Sequence, residues 1–206
     1  MFATHRLPAA FALLAPFAFA AVAPAQFELR GQIEFNQAAT CYYCPPITNW
    51  VIHGTETALT SSSVNFANYA GLEVVMTGSW TSSGGLPLFD VATIQTTSLS
   101  FQLSGNSSIG NTIRFEAFGA NGDLAINLAS LGAGATPLSS TTTLLLAPAT
   151  TVVLGFDVIS AGRVRTDFDI PSIPSLVGLH IFGQALILPA SATPFFFTEP
   201  DAKRIQ

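Results

Sequence analysis

The two cysteines of the chain, Cys41 and Cys44, stand three residues apart in "TCYYCPPITNW", and this spacing admits three chemistries: a redox pair, half of a metal site, or a disulfide staple. A redox pair needs its cysteines at the start of a helix, whose N-terminus lowers the thiol pKa; no helix is predicted there. Zinc needs about four ligands, and only His53 and His180 could join the thiolates. Haem attachment needs a His after the second cysteine, where Pro45 stands. In an exported chain an even cysteine count favours the disulfide Cys41–Cys44. Closing so small a loop is worth about 2 kcal/mol in the chain-entropy view.

Other reactive side chains are sparse. His53 and His180 lie in predicted strands, His180 beside Phe182, where packing is the ordinary role of a histidine. No Gly-x-Ser-x-Gly elbow occurs. Asp157, Asp167 and Asp169 fall on two neighbouring predicted strands and could hold calcium together with backbone oxygens. The competing reading is a solvated face on which the aspartates pair with Arg163 and Arg165. Trp50, Trp80, Tyr42 and Tyr43 offer flat rings on which a sugar could stack. Two carboxylates brought together from distant strands would suit glycoside hydrolysis, but nothing in the sequence singles out such a pair. The expectation is a non-catalytic protein without a cofactor.

The N-terminus predicts export. His5 and Arg6 precede an apolar run from Leu7 to Val22 and the small-x-small triplet Ala23-Pro24-Ala25, so residues 1–25 read as a signal peptide cleaved after Ala25. The run is shorter than a bilayer span and holds Pro8 and Pro16, so no integral membrane segment is expected after cleavage. The product is then periplasmic, cell-surface or extracellular. Beyond Ala25 only six basic residues face twelve acids. Such a chain lacks the cations with which proteins displace counterions from phosphate, which argues against nucleic acid. The partners expected instead are an extracellular polysaccharide or another cell-surface protein.

The elements that must position these residues are strands. "FELRGQIEF" alternates without error, with Phe27, Leu29, Gly31, Ile33 and Phe35 on one face and Glu28, Arg30, Gln32 and Glu34 on the other. "NWVIHG", "ETALTSS", "LEVVMTGSW" and "LPLFDVATIQT" supply four more strands. Between the third and fourth, "SSSVNFANYAG" predicts a helix of about two turns, capped by serine and ended by Gly71 in the left-handed conformation. This order resembles the OB-fold, in which a helix separates the third and fourth strands of a five-stranded barrel. "FANYAGLEVVMTGSW" is similar to a pattern of exported bacterial OB-type domains. The resemblance implies an OB-like barrel domain over residues 26–96.

From Thr97 the strands lengthen. "SLSFQLSG", "TIRFEAFG", "DLAINLAS", "TTTLLLAP", "TTVVLGFDVI", "RVRTDFDI" and "VGLHIFGQALIL" recur at roughly ten-residue spacing, the last apolar on both faces as a central strand should be. "PFFFTEP" adds an edge strand, and Gly132-Ala-Gly134 reads as a turn. About seven strands predict an antiparallel β-sandwich over residues 97–198, followed by a charged tail, 199–206. "LVGLHIFGQALIL", "RVRTDFDIP" and "TTTLLLAP" also resemble a C-terminal domain of secreted Planctomycetes-type proteins, which implies export and a sandwich more than an activity. The whole chain is expected to be all-β, an OB-like barrel with one short helix followed by a sandwich.

Overall fold

The computed structural model describes residues 26–36, 49–55, 57–83, 86–191 and 194–206. Cys41, Cys44, Tyr42 and Tyr43 lie outside the described residues, as do residues 1–25, which the sequence reads as a signal peptide.

Strands β1 (Phe27–Phe35), β2 (Trp50–Ile52), β3 (Ala58–Thr60), β4 (Glu73–Ser83) and β5 (Leu86–Thr96) close into a barrel in the order β1-β2-β3-β5-β4. β3 and β5 run parallel and the other neighbours antiparallel. This is the OB-like arrangement expected. The alternation of β1 turns Leu29 and Ile33 into a core shared with Ile52, Leu59, Val74, Met76 and Phe89. Closing five short strands demands a sharp bend, made by a register shift of β4 against β5 at Thr77/Gly78. A Cβ on Gly78 would collide with the carbonyl oxygen of Asp90, so the bend requires glycine.

The helix between β3 and β4 is shorter than expected. It is a single 3-10 turn, Phe66–Tyr69, capped by Asn65, whose Oδ1 accepts from the Ala67 amide. Ser61 does not cap it. Its hydroxyl accepts from the Ser63 and Val64 amides and donates to the Val91 carbonyl, a local turn that uses up the residues a longer helix would need. Gly71 does adopt the left-handed conformation, φ +75°.

The second half is a sandwich of two antiparallel sheets. One holds β6 (Phe101–Gly105), β7 (Thr112–Phe118) and β12 (Arg163–Asp169) in the order β12-β7-β6. The other holds β8 (Leu124–Ser130), β11 (Val152–Val158), β13 (His180–Leu188), β14 (Phe196–Phe197) and β15 (Asp201–Arg204), with β8 and β13 central. Phe101, Leu103, Ile113 and Phe115 face Ala125, Ala129, Ile181, Ala185 and Ile187 across the core. Small residues on one wall accept large ones on the other, as close packing requires.

Two expectations are corrected. Gly134 is not in a turn: β9 (Ala133–Ser139) pairs with β10 (Thr142–Leu146) as a hairpin. The segment read as a charged tail is also ordered structure. β15 pairs with β13, and Ile205 and Glu199 are buried. Charges at alternate places hid the strand, because its carboxylates find partners inside the fold.

The hairpin joins the two halves. Leu145 enters the barrel core, while Leu144 and Leu146 pack with Leu128 and Phe197 on the outside of the five-stranded sheet. Gln184, fully buried in β13, secures it: its Oε1 accepts from the Leu145 amide at 2.9 Å and its Nε2 donates to the Thr198 carbonyl at 2.9 Å.

Candidate binding site

Glu28, Arg30, Glu34, His53, Glu73, Glu199 and Asp201 gather where barrel meets sandwich. β1 brings the first three there, because its outward face is entirely polar: Glu28, Arg30, Gln32 and Glu34. The Glu28 amide donates to the Ser140 carbonyl at 2.8 Å, which lays this face along the hairpin.

Arg30 stands at the centre of the joint. Its Nε and Nη2 both donate to Oε1 of Glu28, at 3.1 and 3.0 Å, and its Cζ lies 4.2 Å from the ring centroid of Phe196 in β14. A guanidinium held against a ring face is stabilised by the ring quadrupole. Among the described residues only Glu28 engages this guanidinium by hydrogen bonds, through Nε and Nη2, and both Nη1 donors are uncommitted there. Arg30 and Phe196 line a cleft of about 430 Å³ whose other walls include Ser98, Ser100, Phe118 and Ala120. The barrel, the segment leading into β6 and the sandwich therefore all contribute to it.

A second cluster lies on the same joint. His53, in the turn after β2, has its Nδ1 3.0 Å from Glu34 Oε2 and its Nε2 3.7 Å from Asp201 Oδ1. The neighbouring Gly54, at φ +69°, lets this turn approach β15 so closely that a Cβ would lie 3.2 Å from the Ala202 amide nitrogen. Asp201 raises the His53 pKa most, burial of the ring opposes it, and Glu34 adds to the rise, to about 9. Glu34 makes the shorter contact, but Asp201 is the more buried carboxylate, and a charge pair strengthens as water is excluded. Asp201 itself is raised by burial and lowered further by His53 and the Leu103 and Ala202 amides, so its pKa ends below the usual range.

Glu73 completes the cluster. Gln32 Nε2 donates to its Oε1 at 3.1 Å, while its Oε2 is buried without a partner among the described residues. Burial and then the nearby charge of Glu199 push its pKa up to about 7, with Asp201 adding and His53 and Gln32 opposing. Glu199 accepts from the Ser100 amide, from the Ser100 hydroxyl at 2.5 Å and from the Phe101 amide at 2.7 Å. Asp201 Oδ2 accepts from the Leu103 amide at 2.7 Å. Two carboxylates thus satisfy backbone donors along β6, an edge strand that would otherwise offer them to another chain.

The residues singled out from sequence are placed elsewhere. Trp50 meets Phe35 edge-on with ring centroids 4.9 Å apart and tilts over Phe66 at 6.2 Å; it borders a cleft of about 280 Å³ with Thr60, Ser61 and Asn65. Trp80 packs edge-on against Phe89 at 4.9 Å and has its Nε1 buried without a partner among the described residues. Both tryptophans support the barrel core. His180 is exposed, 6.1 Å from the Phe182 ring.

The three aspartates do not converge. Asp157 accepts from the Val158 amide, Asp167 pairs with Arg165 through two hydrogen bonds, and Asp169 accepts from the Thr112 hydroxyl. Among the described residues no group of three or more His, Cys, Asp or Glu could hold a metal ion. Arg163 turns from the aspartates to Glu116, 3.6 Å away.

Sequence reasoning did not single out Arg30, Phe196, Glu73, Glu199 and Asp201. One signal was present: a strand face made only of Glu, Arg and Gln, in a chain with so few cations, has a partner to meet. Comparison with family models, curated proteins and solved structures found no match for this chain.

Proposed function

We propose that the protein is an exported, non-catalytic binding or structural module, working at the cell surface or in the periplasm, that holds its ligand in the cleft at the barrel–sandwich joint. The observation that carries this reading is the placement of Arg30, a half-buried cation with donors uncommitted among the described residues, on the wall of a cleft to which both halves contribute. Pockets that bind ligands are found preferentially at such junctions and combine apolar walls with a few placed polar groups. The leader-like residues 1–25 and the likeness of the second half to a domain of secreted Planctomycetes-type proteins support export. The partners this reading favours are an extracellular polysaccharide or another surface protein, and it involves neither nucleic acid nor a cofactor.

The test is to express the full chain, sequence the N-terminus of the exported product, and measure its sedimentation with intact cells and isolated cell-wall polysaccharide. A product beginning at Gln26 that co-sediments and releases no reducing ends supports the proposal. Retention in the cytoplasm, or release of reducing ends, overturns it.

A further inference from the structure

We infer that the Arg30–Phe196 cleft takes a neutral saccharide. The inference rests on the reading of the joint as the binding site and names its ligand class.

Charge excludes the alternatives first. The guanidinium in this cleft is already neutralised by Glu28, and among the described residues no second cation lines the walls. The carboxylates of Glu34, Glu73, Glu199 and Asp201 lie along the same joint. Beyond residue 25 the chain carries six basic residues against twelve acids. A phosphate, sulfate or uronate entering here meets no uncompensated positive charge, so an anion gains little from Arg30.

The uncommitted groups are those that hydroxyls use. The two Nη1 donors of Arg30 point to no partner within the described residues, and the hydroxyls of Thr97 and Ser98 make no hydrogen bond there either. A hydroxyl both donates and accepts, so donors from a guanidinium beside rotatable Thr and Ser hydroxyls match adjacent hydroxyls of a sugar ring. Phe118 is half-buried on the wall and offers an apolar surface to the C–H face of that ring. A volume of about 430 Å³ falls within the range of small-ligand sites.

The test uses titration calorimetry of the exported full-length product against neutral oligosaccharides (cellohexaose, xylohexaose, mannohexaose and maltohexaose), with pentagalacturonate as the anionic comparison. Two variants block the cleft from exposed positions that support no core packing, Ala120→Trp and Ser98→Trp. Phe156→Ser, on β11, serves as a control outside the cleft.

The expected result is saturable binding of at least one neutral oligomer, weakened about tenfold or more by either blocking variant. Phe156→Ser and a rise in salt from low to high ionic strength leave it unchanged, since no net charge is paired. Binding of pentagalacturonate alone overturns the inference, as does neutral binding that both blocking variants leave intact. Silence toward all five probes also overturns it. In that case co-sedimentation with cells through a surface protein would still uphold the binding-module reading, so the two failures are distinguishable.

Discussion

His53 and Asp201 lie 148 positions apart in the chain, yet the imidazole Nε2 stands 3.7 Å from the Asp201 carboxylate. With Glu34 on its other nitrogen, the ring is an ionic bridge from the barrel to the last strand of the sandwich. Glu73 lies beside it with one oxygen buried and, among the described residues, unpartnered, so protons decide how well this joint holds.

Stability is expected to fall as pH rises, through two successive contributions. The contribution of Glu73, whose folded pKa of about 7 exceeds its ordinary 4.5, is complete below 4.5 and lost as pH passes 7. That of His53 is complete below 6.5 and lost as pH passes about 9. Asp201, lowered, acts in the opposite sense and loses its contribution only in acid. Melting temperatures recorded from pH 4 to 10 check this: a decline of a few degrees is expected to begin near 4.5, with the Glu73 part complete by about 7 and the His53 part, starting near 6.5, complete by about 9. Glu73→Gln removes the part of the decline between 4.5 and 6.5 and keeps the part between 7 and 9.

Gln184 ties the β9–β10 hairpin to the five-stranded sheet. Gln184→Leu keeps the volume but leaves the Leu145 amide and the Thr198 carbonyl buried without their partner, which costs about 2–4 kcal/mol. Urea unfolding of both proteins measures the loss, and a midpoint equal to wild type would refute the role.

Glu199 is 2% exposed and accepts from two amides and a hydroxyl at the start of β6. Glu199→Ala leaves those donors unpaired, with a loss of at least about 2 kcal/mol. It also uncovers the β6 edge, so faster aggregation on warming, followed by light scattering, is expected with the loss of stability.

The free edge of the five-stranded sheet carries an apolar strip on β11: Val152, Val153, Phe156 and Val158 are exposed, Phe156 at 71%. Exposed edge strands of this kind template association. Phe156→Ser should shift sedimentation at high concentration toward a smaller species while changing stability by no more than about 0.5 kcal/mol.

Gly78 is the residue on which barrel closure turns. Gly78→Ala sets a methyl against the Asp90 carbonyl, a backbone group that cannot swing aside, and a loss of about 1–3 kcal/mol or more is expected. Chemical unfolding followed by tryptophan fluorescence reads it, because Trp80 lies two residues further along β4.

How much of this was legible in the chain depends on the range of the interaction. The all-β class, the barrel strands and most sandwich strands follow from alternation of apolar and polar residues, a property of neighbours two apart that survives without tertiary contact. Gly71 announced its left-handed turn because only glycine adopts one freely. The polar face of β1 was legible as a face, but not as a joint.

The rest was decided by residues distant in sequence. Glu199 and Asp201 read as a solvated tail because a charged residue looks the same in water as beside a buried amide, and only the fold brings the amides of Ser100, Phe101 and Leu103 to them. Leu145 and Leu146 are equally apolar, yet one enters the barrel core and the other packs on the sandwich. Arg30 acquires its place on the cleft from Phe196, 166 residues away. Local pattern determined which segments become strands; the burial of charge and the shape of the cleft came from the packing of one half against the other, where solvent exclusion sets the strength of every polar contact.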